Sequence, residues 1–122
     1  MIVIAEEKQL ENKFKRFLES VGLYRLGTPK QKKKVPQVGF WWKNHEGSMF
    51  GTIVGRPDIV IFIKDTYLFV EMKASNGKPS TAQIRIINEI NSVGGKAVIF
   101  YPKDWNEVTG LVRRLINEKQ VR

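Results

Sequence analysis

Apolar residues recur at helical spacing over residues 5–21, where Leu10, Phe14, Phe17, Leu18 and Val21 form one stripe and Gly22 supplies a stop. This pattern predicts an amphipathic helix. Glu7 and Glu11, four residues apart, fall along or beside the Phe14/Leu18 side, so either carboxylate can look inward. Residues 23–52 hold no sustained period and read as an irregular or β-ribbon segment. Residues 59–63 and 67–72 are rich in β-branched and aromatic side chains. Only Lys64, Asp65 and Thr66 separate them, which predicts a hairpin of two buried strands. Ser80 with Gln83 three positions on has the spacing of a capping box. It opens a helix with the inner stripe Ile86, Ile87, Ile90 and Val93, ended by Gly94 and Gly95. Residues 96–101 read as a further strand. Asp104 with Glu107 repeats the capping-box spacing before a last helix whose stripe is Val108, Leu111, Val112, Leu115 and Ile116.

The resulting order, αβββαβα, predicts an α/β fold with a mixed central sheet flanked by helices, in a single domain over residues 1–122. It holds too few βαβ units for a Rossmann domain. No GxGxxG motif is present, and residues 77–81, GKPST, lack the upstream glycine loop of a phosphate-binding P-loop, so no nucleotide cofactor is expected. With 42% hydrophobic residues in 122, the chain can build one core unaided by staples. The absence of cysteine excludes a disulfide framework and a Cys-based zinc site. No apolar run approaches a membrane span, and the first residues turn acidic too early for a signal peptide, so a cytoplasmic protein without a membrane partner is expected.

Charge changes the picture more than composition does. Twenty-one Lys and Arg against twelve Asp and Glu give a net charge of +9, which favours a polyanion such as nucleic acid as partner. Lys30, Lys32, Lys33 and Lys34 precede Phe40, Trp41, Trp42 and Lys43, and basic side chains interleaved with aromatics suit phosphate contact and base stacking. The alternative is that the Trp pair belongs to the core or to a dimer contact and the lysines to a solvated loop.

Charged residues inside the hairpin are the other anomaly, because a buried charge is costly unless it is paired or holds a metal. Alternation puts Glu71 and Lys73 on one face of their strand. A two-residue turn at Lys64-Asp65 pairs Ile63 with Thr66 and sets Asp58 directly opposite Glu71, whereas a slip of one residue sends Asp58 to the other face. Opposed carboxylates repel unless something positive lies between them. Magnesium, held by Asp58, Glu71 and the backbone carbonyl of Met72, answers that need, with Lys73 beside the bound water. A structural salt bridge between Lys73 and a carboxylate is the competing account.

G-R-P-D at 55–58, E-M-K at 71–73 and the loop N-G-K-P-S-T-A-Q ending at Gln83 together resemble the PD-(D/E)XK nuclease superfamily and, within it, the VRR-NUC family. The resemblance runs from about residue 5 to 117. It implies a restriction-endonuclease-like core and magnesium- or manganese-dependent hydrolysis of phosphodiester bonds in branched DNA. Small stand-alone members are similar to Holliday-junction resolvases and act as homodimers. By that match Asp58 and Glu71 bind metal, Lys73 assists the water, Gln83 borders the site, and a first-helix glutamate, Glu7 ahead of Glu11, approaches the metal.

Some of these residues have plainer readings. Gln83 is also accounted for by its cap, Arg56 either touches phosphate or sits in its turn, and His45, the single histidine, reads as a solvated loop residue. The sequence therefore leads to a structure-selective endonuclease on junctions, flaps or splayed arms, with a non-catalytic basic DNA-binding module as the alternative. A membrane-surface protein comes third, because the basic run lacks an amphipathic helix.

Overall fold

The computed structural model describes residues 2–44 and 54–121. His45 and the polar turn that follows it lie outside the described residues. The elements are α1 (Ile2–Ser20), β1 (Leu23–Arg25), β2 (Gly39–Lys43), β3 (Ile59–Ile63), β4 (Thr66–Met72), α2 (Thr81–Ser92), β5 (Lys96–Phe100) and α3 (Trp105–Val121), with 3-10 turns at Lys30–Lys32 and Pro102–Asp104. The chain is therefore mixed α/β. Its five-stranded sheet runs β1-β2-β3-β4-β5, parallel at its two outer pairs and antiparallel within.

The predicted hairpin forms with the two-residue turn, Ile63 opposite Thr66 and Ile59 opposite Val70. The segment expected to be irregular or a β-ribbon holds two strands paired in parallel. It contains β1 and β2, joined by a crossover that the Tyr24 hydroxyl ties down by accepting from the Val35 N–H at 3.0 Å and donating to its carbonyl at 3.2 Å. Three residues of β1 are too few to show a period, so the order has one strand more than expected.

One sheet face carries Trp41, Ile59, Ile61, Ile63, Leu68, Val70, Met72 and Phe100, and both α1 and α3 pack on it. Leu10, Phe14 and Leu18 of α1 and Val108, Val112, Leu115 and Ile116 of α3 complete this core as their stripes predict. Phe14, fully buried, stands edge-on to Phe100 at 5.0 Å between ring centroids and to Trp105 at 6.4 Å. The opposite face carries Phe40, Trp42, Phe62, Tyr67 and Phe69, with Phe62 and Tyr67 at 4.8 Å. Helix α2 meets the sheet at β5, where the Asn91 side chain bonds the Ala97 backbone at both its N–H and its carbonyl.

Two sequence expectations fail at helix ends. Val93 is 83% exposed because it is already the C-cap of α2, beyond the stripe's last turn. Asp104 does not open α3 as a cap; it closes the 3-10 turn before it, its carboxylate accepting from the Tyr101 N–H at 3.2 Å.

Candidate functional site

Continuing the β3/β4 register by one residue places Asp58 opposite Glu71, where the strands leave the sheet. Asp58 Oδ2 accepts the Met72 N–H at 3.0 Å, so the backbone of Met72 lies beside the carboxylate pair. Asn44, directly after β2, holds the approach to Asp58: its N–H donates to the Asp58 carbonyl at 2.8 Å and its side-chain amide to the Pro57 carbonyl at 2.9 Å.

Glu71 is 3% exposed. Its Oε2 accepts the Gln83 side-chain amide at 3.0 Å and lies 3.9 Å from Lys73 Nζ, while its Oε1 is buried without a donor. Burial first, then the charge of Asp58 and a side-chain hydrogen bond with it, push the Glu71 carboxyl up to about 8 against the opposing pull of Lys73. Glu7 is raised in the same direction, mainly by burial and then by Asp58. The Glu71 carboxyl therefore has a raised affinity for protons beside Asp58.

Gln83 serves two tasks with one side chain. Its carbonyl accepts the Ser80 N–H at 2.8 Å, completing the cap of α2, and its amide N–H reaches Glu71. The cap and the site role are compatible because the amide has a separate donor and acceptor. Gly55 brings the two together: its φ is +91°, and a Cβ there would stand 2.5 Å from the Ala82 carbonyl and 2.8 Å from the Gln83 N–H. Only glycine lets the turn before Asp58 lie against the first turn of α2.

Glu6 was not foreseen. Its carboxylate accepts the Ser75 N–H at 2.7 Å and the Ser75 hydroxyl at 2.8 Å, clamping the loop two residues past Lys73 to α1. Nothing in the sequence separates Glu6 from its neighbour Glu7, since the distinction depends on how α1 is rotated above the loop. Lys8 and Lys15 were missed as well. They and Lys43 surround Glu11, which is 6% exposed: Lys15 Nζ at 2.8 Å, Lys43 Nζ at 2.9 Å and Lys8 Nζ at 3.3 Å from its oxygens. Hydrogen bonds and charge from Lys15 and Lys43 overcome the burial of Glu11 and hold its carboxyl down at about 2.

No family model matches the chain, and no curated protein matches it. Among the described residues, no group of three or more Asp, Glu, His or Cys side chains is gathered to hold a metal ion. What the structure brings together is the pair Asp58 and Glu71 with Lys73 and Gln83, and Glu7 within electrostatic reach.

The aromatic and basic candidates divide. Trp41 is 3% exposed and sits under α1, so its ring has no face to offer a base, a correction to its expected part in DNA stacking. Trp42, its neighbour on the alternating strand, lies half-buried on the other face. Lys30, Lys32 and Lys34 are exposed on the crossover beside the sheet edge, and Lys33 donates to the Gln37 side chain at 2.9 Å. Two strands, β1 and β2, separate that edge from β3. Arg56 is half-buried in the turn before Asp58.

Proposed function

We propose that this chain is a divalent-metal-dependent endonuclease with a restriction-endonuclease-like core, hydrolysing phosphodiester bonds in branched DNA. The observation that carries the reading is the buried, donorless Glu71 Oε1 beside a second carboxylate. A hydrophobic hairpin gains nothing from two opposed acids, whereas two carboxylates form a minimal site for magnesium or manganese, ions that keep several waters and take substrate phosphate as a further ligand. Asp58 and Glu71, with the Met72 carbonyl, would hold the ion, with waters and substrate phosphate completing its coordination. The bound ion would supply charge neutralisation at the phosphate and an acidified water.

The chain's own groups divide the remaining work. Gln83 fixes the Glu71 carboxylate in orientation through the amide it donates. Lys73, 15% exposed at its side chain, lies close enough to the pair to orient a water and to stabilise negative charge developing on the phosphoryl oxygens. Glu7, one side of α1 away, offers a carboxyl with a raised affinity for protons. Cutting both strands of a four-way junction requires two such sites, so the active species on that substrate is a homodimer.

The test is incubation of the protein with an end-labelled four-way junction, a flap, a splayed arm and a matched linear duplex, each with magnesium, manganese or EDTA. Metal-dependent nicks on a branched substrate, reduced at least about a thousandfold in Asp58→Ala, are expected when a charged metal ligand is removed. Tight binding with no cleavage in either metal would overturn the enzyme and leave a basic DNA-binding module.

A further inference from the structure

We infer that Lys8, Lys15 and Lys43, gathered on Glu11, form a backbone-phosphate subsite one helical turn along α1 from Glu7. This rests on the nuclease reading for its place beside the scissile bond, and on the geometry of the cluster for its ligand. One carboxylate neutralises one ammonium group. Here three ammonium groups lie within 3.3 Å of Glu11 oxygens, leaving two positive charges in excess. Like charges brought this close repel, and the arrangement lowers its energy when a further anion arrives.

The three lysines come from elements with different reasons to be there. Lys8 and Lys15 flank Glu11 at i−3 and i+4, as any helix would allow. Lys43 comes from β2, 32 residues away, and its neighbour Asn44 is the residue that braces Asp58. The side chains of Lys15 and Lys43 remain 23% and 25% exposed and that of Lys8 58%, against 8% for the Glu11 side chain they share. Buried Glu11 thus acts as an anchor that holds flexible lysines in place, and lysines held in advance lose less side-chain entropy on meeting a phosphate.

Glu7 stands one turn, about 6 Å, from Glu11 on α1 and senses both Asp58 and Lys43 electrostatically. On the nuclease reading, a strand that runs from Asp58 and Glu71 past Glu7 would meet the lysine cluster with a further phosphate. The ligand is the sugar-phosphate backbone, read without regard to base.

The experiment measures binding of a labelled four-way junction in EDTA, across a series of salt concentrations. It compares the unaltered chain, Lys15→Gln/Lys43→Gln, and a control, Lys64→Gln/Lys96→Gln, altered at the opposite end of the sheet. The double variant in the cluster is expected to reduce the slope of log affinity against log salt by about 1 to 2 and to weaken binding roughly tenfold or more, with the control changing the slope by less. Equal slopes in the two double variants would overturn the subsite. Because loss of both lysines strands a buried carboxylate, a second measurement uses the unaltered chain: acylation of Lys8, Lys15 and Lys43, read by mass spectrometry, should slow several-fold when junction DNA is present. Unchanged reactivity would equally overturn the proposal. Cleavage by the unaltered chain with equal slopes would sink the subsite alone, whereas a reduced slope without cleavage in any metal would sink the nuclease alone. A chain that binds no DNA would overturn both.

Discussion

Glu71 makes the protein's stability fall as pH rises, and the proposed metal site would add a divalent-ion dependence of the opposite sign. In the folded chain its carboxyl is pushed from 4.5 up to about 8, by burial and by Asp58. Between those values the folded state binds more protons than the unfolded chain, so the stability falls as pH rises: the penalty is absent below about pH 4.5 and complete above about pH 8. The gap corresponds to a ceiling on the order of 4–5 kcal/mol at about 1.4 kcal/mol per pH unit. Charges in a real interior are screened more than that ceiling assumes, so a loss of roughly 2–3 kcal/mol is expected, or a fall of about 6–12 °C in Tm for a domain of this size. The assay is thermal unfolding in EDTA from pH 5 to 8.5, repeated in 10 mM magnesium and in Glu71→Gln. In EDTA the Tm should fall across the window, and magnesium should restore it most at the high-pH end, because binding an ion requires the proton to leave. Glu71→Gln should flatten the curve in EDTA and lose the response to magnesium. A Tm profile identical in the parent and Glu71→Gln, or a magnesium effect that survives the substitution, would refute the reasoning.

Glu11 gives the opposite sign. Its carboxyl, held down at about 2 by Lys15 and Lys43, contributes stability that is present above pH 4.5 and lost as pH falls through about 2, so Glu11→Gln should flatten the acid limb of a urea-denaturation series while leaving the limb above pH 5 parallel to the parent. Gly55→Ala should destabilise by roughly 2–4 kcal/mol in the same assay, since the new methyl group meets the Ala82 carbonyl at a φ of +91°. It should also reduce cleavage more than folding alone explains, because the first turn of α2 carries Gln83 to Glu71; full activity in the folded fraction would refute that coupling.

What the sequence disclosed and what it hid follow from how each feature is built. The carboxylate pair was legible because it is made within one hairpin. Once Lys64 and Asp65 form the turn, parity alone carries Asp58 to the face of Glu71. The cap of α2 was legible for a similar reason, Ser80 and Gln83 being three residues apart. Trp41 and Trp42 were read as one pair because their segment shows no period; on β2 alternation sends the two rings to opposite faces, and that decides which can meet a base.

The Lys43 contact to Glu11 and the Glu6 clamp were hidden because each is made by packing α1 onto the sheet. No local pattern sets the rotation of that helix to within one residue, yet one residue separates Glu6, which holds Ser75, from Glu7, which senses Asp58. The rotation is fixed instead by the apolar stripe: Leu10, Phe14 and Leu18 must reach Trp41, Phe100 and the strands beneath. Seating Phe14 in the core carries Glu11, three residues earlier, down to Lys43 at the end of β2. The hydrophobic core therefore sets the electrostatics of the site, and a change in α1 that shifts the seating of Phe14 would be felt first as a misplaced Lys43.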